Sequence, residues 1–239
     1  MRTIYQPKGK AAEYAPLALN IYTHCNHGCK FPCYMTTFPW YKPNTDVPTM
    51  RLGLPDALEK QCKKMAGDPR EIMLCFGCDP YPRYDNAATR EVLLMLEKHR
   101  MTATVLTKGG TRAVRDFDIL KRNNWKFGQT IVFLHDSDRA IWEPGAATIA
   151  DRIDALERAH KMGIYTWVSL EPVVDPEQAI GLIDLLGKYV DFWKIGRWNY
   201  DKRANEIDWK SFVARARKHL GKAPHLFKKD TLIAAGEAA

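Results

Sequence analysis

Short apolar runs alternate along the chain with stretches whose apolar residues recur every three or four positions. The first run covers 17–22 and the second 71–76, which ends at Gly77 and reads as a buried strand. Residues 103–107 are rich in β-branched side chains and stop at Lys108-Gly109-Gly110. Further strands are predicted over 129–134, 164–170 and 192–196. Helical spacing is predicted over 55–65, 89–99, 111–122, 150–161, 177–189 and 208–219, the fourth of these ending at Gly163. Six strands alternating with six helices argue for an α/β fold with a parallel sheet and crossover helices. Periodicity leaves open whether that sheet curls into an incomplete barrel or stays doubly wound.

A length of 239 residues fits one domain of this class, and an apolar share of 46% supplies a substantial core. With no internal repeat, linker or break in composition, the chain divides into an N-terminal arm (1–13), one core domain (14–225) and a C-terminal tail (226–239). No stretch approaches the roughly 20 apolar residues of a membrane span, so no membrane is expected as a partner. The first ten residues lack an apolar signal core. Six cysteines without such a signal point to a reducing compartment, where clustered thiols bind metal or do chemistry, and to a cytoplasmic protein. The net charge of +8 fits an anionic partner such as nucleic acid, and equally a basic enzyme with no such partner.

The chemistry concentrates in Cys25-Asn26-His27-Gly28-Cys29-Lys30-Phe31-Pro32-Cys33-Tyr34, directly after the first strand. Packing gains nothing from repeated thiols in a loop, whereas zinc and iron–sulfur clusters both need sulfur donors converging from a short segment. Three thiolates leave one metal position open. A zinc knot instead takes His24 or His27 as a fourth ligand and describes a zinc-stabilised nucleic-acid-binding protein without redox chemistry.

This cluster resembles the cysteine motif of the radical S-adenosylmethionine (SAM) enzymes, C-x-x-x-C-x-Φ-C with Φ aromatic. Cys25, Cys29 and Phe31 keep the pattern; Pro32 is one residue more than the pattern has, and one added loop residue costs little closure entropy. The resemblance implies a partial (β/α)6 TIM-type barrel of parallel strands with outer helices. It also implies a 4Fe-4S cluster on Cys25, Cys29 and Cys33, with SAM on the open iron and cleaved to a 5′-deoxyadenosyl radical. An electron donor such as flavodoxin or ferredoxin is implied as a partner.

Barrel active sites form at the C-terminal ends of the strands. Those ends here read Cys75-Phe76-Gly77-Cys78-Asp79-Pro80-Tyr81, Thr107-Lys108-Gly109-Gly110, Ser169-Leu170-Glu171-Pro172 and Lys194-Ile195-Gly196-Arg197-Trp198-Asn199-Tyr200. Gly77–Tyr81, Leu106-Thr107-Lys108 and Trp142-Glu143-Pro144-Gly145 followed by Arg152 resemble segments of the spore photoproduct lyase branch, a likeness covering roughly residues 14–200. It implies DNA repair or another nucleic-acid modification. By the same resemblance Lys108 meets the SAM carboxylate, Tyr34, Asp79 and Glu171 join the SAM pocket, and Cys78 donates a hydrogen atom to a product radical. The residues themselves allow plainer roles. Cys75 and Cys78 fit inert buried strand cysteines, Lys108 a surface turn, and Asp79 a turn cap. Glu171 at a barrel mouth calls for a ligand or a cationic partner. Lys194 and Arg197 fit phosphate or carboxylate partners, and Trp40, Tyr41, Trp198 and Tyr200 fit base stacking or core closure.

Overall fold

The computed structural model describes residues 3–33, 35, 38–39, 46–84 and 86–238. One eight-stranded sheet runs in chain order, β1 (Ile4–Tyr5), β2 (Leu17–Leu19), β3 (Glu71–Leu74), β4 (Thr102–Thr107), β5 (Lys126–Thr130), β6 (Thr166–Val173), β7 (Phe192–Arg197) and β8 (His225–Phe227). Only β1 is antiparallel; β2 to β8 pair in parallel, and the sheet does not close. The helices between them are α1 (Leu54–Lys64), α2 (Ala87–Lys98), α3 (Phe117–Arg122), α4 (Asp136–Trp142), α5 (Ile149–Lys161), α6 (Pro176–Leu186) and α7 (Trp209–Leu220), with α8 (Lys229–Ala234) after β8. The alternation of runs leads to this parallel α/β sheet, and its open, partial-barrel form is the one the family resemblance implies.

Strand alternation sorts the core into two faces. Ile72 and Leu74 of β3 pack with Ala103 and Val105 of β4 against α1 and α2. Met73, on the opposite face, meets Leu106, Trp167 and Phe192 on the concave side, which Tyr14 and Ala15 fill from before β2. Helix starts follow their capping residues. Thr148 accepts the Asp151 N–H at α5, and Asp175 accepts the Glu177 N–H at 2.8 Å ahead of Pro176 at α6.

Four elements depart from the sequence reading. The strand expected over 129–134 starts at Lys126 and stops at Thr130, because Phe127 takes the register opposite Val105 and Thr166. Residues 131–133 continue past the strand as an irregular apolar segment buried in the second core cluster, with the Ile131 N–H still donating to Ser169 O of β6 at 3.2 Å. The helix over 111–122 opens as a 3₁₀ segment, Gly110–Asp116, where buried Asp116 turns to Arg90 and Tyr81. Helix α4 had no counterpart in the periodicity, being seven residues long with all of its first four polar. Finally, both ends are structured. The arm contributes β1, and the residues read as a tail contribute the end of β8 and α8, held by buried Lys228, whose Nζ donates to Lys10 O at 3.1 Å.

Candidate active site

The loop after β2 is fixed from two sides. On one side Asn20 accepts the N–H groups of Phe76 (2.9 Å) and Gly77 (2.7 Å), tying the end of β2 to the turn after β3. On the other, Gly145 N–H donates to His27 O at 2.8 Å and Lys30 N–H to Trp142 O at 2.8 Å. The contact at Gly145 is so close that a Cβ there would lie 2.6 Å from Asn26 O, which accounts for glycine at this position. Phe31 stacks on Trp142 at 6.5 Å between ring centroids, and Lys108 Nζ stands 5.5 Å from its centroid. Pro32 is absorbed within this arrangement, since Cys25, Cys29 and Cys33 still line one cavity of about 350 Å³.

The opposite wall comes from strand ends. Cys75, Cys78 and Asp79 follow β3, Thr107 and Lys108 close β4, and Thr130 closes β5. Asp79 is buried and fully engaged. His27 Nε2 lies 2.9 Å from it, and it accepts the Thr107 hydroxyl, the Lys108 N–H at 2.8 Å and the Tyr81 N–H at 2.8 Å. Burial alone would raise its carboxyl, but His27 and these donors outweigh burial and hold it well below the usual carboxylate range.

Behind the cavity lies a buried ion triad. Glu143 receives Lys108 Nζ at 2.6 Å and Arg152 at 2.7 Å, and both Glu143 and Arg152 are wholly buried. Arg152 also donates to Ala147 O and Thr130 O, each at 2.9 Å. Burial raises the Glu143 carboxyl, yet the two cations prevail and bring it to about 2. Two cations against one carboxylate leave a net positive charge, and Lys108 carries it to the cavity wall.

The surroundings of the three loop thiols disfavour the thiolate. Burial pushes all three up, Cys29 to about 12, and the neighbouring thiols raise Cys25 and Cys29 further. Such thiols keep their protons in water until a metal displaces them. Among the described residues no three His, Cys, Asp or Glu side chains are set to grip a single ion. The histidines of the zinc alternative have other partners. His24 Nδ1 meets Thr23 Oγ1 and its Nε2 meets Asp46 O, while His27 uses Nδ1 toward Gly145 O and Nε2 toward Asp79. Three soft donors around a roomy cavity with no histidine to complete a tetrahedron suit a cluster better than zinc.

The structure thus gathers Cys25, Cys29, Cys33, Cys78, Asp79 and Lys108 at one cavity. Tyr34, Trp40 and Tyr41 lie outside the described residues. Glu171 is not among the residues lining this cavity; it accepts the Tyr14 hydroxyl and faces Lys228 Nζ at 3.3 Å, the cationic partner its burial calls for. Lys194 donates to Glu13 O at 2.6 Å and Arg197 to Asn205 at 3.1 Å. Trp198 is buried against Trp142, and Tyr200 is exposed. Sequence reasoning missed the His27–Asp79 pair and the clamp of Glu143 on Lys108. A histidine inside the cysteine loop and a glutamate between Trp142 and Pro144 were the available signals.

Comparison with known proteins agrees with this fold. The family model of the radical SAM superfamily matches residues 19–185. An uncharacterised protein of Methanocaldococcus jannaschii is 27% identical over 177 residues, which are 70% of this chain and 65% of that protein. Among solved structures, a cysteine-to-serine mutant of spore photoproduct lyase superposes with a TM-score of 0.72 at 14% identity, covering 95% of this chain and 80% of that one. The same lyase complexed with dinucleoside spore photoproduct gives 0.65 at 14% identity, over 93% and 65%. SuiB of Streptococcus suis bound to S-adenosylmethionine gives 0.64 at 13% identity, over 91% and 52%. At these identities the structures establish a shared fold. The chain spans about two thirds of the M. jannaschii protein and about half of SuiB.

Proposed function

Because the chain belongs to the radical SAM superfamily, we propose that it is an enzyme whose Cys25, Cys29 and Cys33 hold a 4Fe-4S cluster beside bound SAM. When bound, cluster and SAM together supply reductive cleavage to methionine and a 5′-deoxyadenosyl radical. The observation that carries this reading is that three half-buried thiols and the net-positive Lys108–Glu143–Arg152 triad border one cavity.

Each residue of the wall then has a task. Lys108 faces the cavity with a charge that Glu143 anchors and shares with Arg152, so its ammonium is placed to receive the SAM carboxylate. Asp79 acts as a positioning residue, binding His27 of the cysteine loop and the Lys108 backbone at once. Tyr34 follows Cys33 directly in the chain and stays a candidate for the same pocket. Glu171, with its partners elsewhere, is not assigned there. Cys78 lines the cavity with its sulfur accepting the Tyr22 N–H at 3.4 Å, a position suited to giving a hydrogen atom to a product radical.

For the substrate, the net charge of +8 and the likeness to a lyase solved with a dinucleoside photoproduct favour nucleic acid, with repair or modification of a base as the reaction class. A flavodoxin- or ferredoxin-type protein of a cytoplasmic, reducing compartment is the proposed electron source. Among the described residues no helix is long and apolar enough to cross a membrane. The test is anaerobic reconstitution with iron and sulfide, then SAM and a strong reductant with and without irradiated DNA. The account expects 5′-deoxyadenosine in both and its increase with DNA. Zinc retention with no deoxyadenosine overturns the enzyme reading, and deoxyadenosine indifferent to nucleic acid overturns the substrate class.

A further inference from the structure

Cys75 and Cys78 form a C-x-x-C unit, Cys75-Phe76-Gly77-Cys78, in the turn after β3. Neither belongs to the triplet proposed to hold the cluster, yet both line the same cavity. The two thiols sit close enough that burial and Cys78 together push the Cys75 thiol up. The segment after β2 reaches this unit directly, the Tyr22 N–H donating to the Cys78 sulfur at 3.4 Å. Asn20 fixes the intervening turn by accepting the N–H groups of Phe76 and Gly77, and a Cβ on Gly77 would lie 3.2 Å from the Asn20 amide. Both cysteines are buried at the edge of the first core cluster and still line the cavity, and two adjacent thiols on a turn pinned by Asn20 are the features of a dithiol site.

We propose that Cys75 and Cys78 form a redox-active dithiol that closes reversibly to an intramolecular disulfide in the cavity wall. The oxidant is a low-molecular-weight disulfide small enough to enter the cavity. One cysteine attacks a reagent sulfur, breaking the reagent S–S bond, releasing one reagent thiol and leaving a mixed disulfide. The second cysteine then attacks the first cysteine's sulfur and releases the second reagent thiol. The protein loses two electrons and two protons, and the reagent gains both. Closure removes the S–H of Cys78, so the pair sets whether that hydrogen is available at the cavity. This inference does not depend on the cluster reading, because the disulfide is read on the polypeptide.

The experiment is a redox titration of the anaerobically reconstituted full chain in mixtures of hydroxyethyl disulfide and mercaptoethanol, quenched by alkylation and digested with trypsin. Burial and the neighbouring Cys78 push the Cys75 thiol up, which slows exchange, so the titration is run at one mildly alkaline pH. Cleavage after Arg70 and Arg83 places both cysteines, and no other, on a single peptide. As the disulfide fraction of the buffer rises, this peptide is expected to lose both alkyl groups together and to become lighter by two hydrogens. Cys62, buried in α1, serves as the cysteine that stays alkylated. Cys75→Ser is expected to give instead a reagent adduct on Cys78, and Cys78→Ser the reciprocal adduct. Alkylation of both cysteines at every buffer ratio overturns the proposal, as does a disulfide joining this peptide to the cysteine-loop peptides.

Discussion

Replacing Glu143 with glutamine tests whether the ion triad organises the site. Glu143→Gln keeps the shape and removes the charge, leaving the Lys108 ammonium and the Arg152 guanidinium against a neutral amide in a buried setting. Two routes give the magnitude. Breaking one partner of a buried ion pair costs about 3–5 kcal/mol. Independently, lowering a carboxyl from 4.5 to about 2 on folding corresponds to about 3 kcal/mol at neutral pH. The sign follows from that direction: stability from Glu143 is complete above about 4.5 and is lost as pH falls toward 2. Urea unfolding of the metal-free chain, followed by circular dichroism, should show Glu143→Gln less stable by about 3 kcal/mol at pH 7. The gap to wild type should narrow once the pH drops below 4.5. Adding Lys108→Met to the variant removes one stranded cation and should recover part of the loss. A loss under about 1 kcal/mol, the range of an exposed ion pair, would refute the reasoning; so would a gap that does not change with pH.

Other residues give shorter tests. Serine at Cys25, Cys29 or Cys33 should abolish most iron uptake on reconstitution, whereas Cys62→Ser should take up as much as wild type, both read by metal analysis. Lys108→Met should weaken SAM binding by roughly 10- to 100-fold, as expected for losing a charged hydrogen bond, read by calorimetry on the reconstituted protein. Lys194, lowered by burial and by the Lys228 charge to about 8 from 10.5, binds its proton less readily folded than unfolded. Stability should therefore rise as pH climbs from 8 toward 10.5, and Lys194→Met should flatten that part of the profile relative to wild type.

Much of this protein is legible in its sequence where one physical cause acts locally. The buried parallel strands announce themselves as apolar runs, and the spacing of the three cysteines singles out the loop that borders the cavity. What escaped reading depends on contacts distant in the chain. Strand β5 shifted toward Lys126 because Phe127 is registered by β4 and β6, which no local pattern encodes. Helix α8 folded because Lys228 reaches Lys10 O, a bond spanning most of the sequence, and Thr231 accepts the Arg197 N–H of β7 at 2.7 Å. In the site, Asp79 reads as a turn cap, and it does accept the Tyr81 N–H; its ties to His27 and Lys108 appear only once three strand ends meet. Glu143 was visible as part of a motif, but its grip on Lys108 required the fold.

Three thiols from one loop, holding a 4Fe-4S cluster as proposed, leave one cluster position open to SAM beside Lys108. The most direct measurement is electron paramagnetic resonance of the reduced, reconstituted protein before and after SAM is added, with iron counted on the same sample. The account expects about four irons per chain and a spectrum that changes when SAM binds. Stoichiometric zinc, or a cluster whose spectrum is indifferent to SAM, would contradict it.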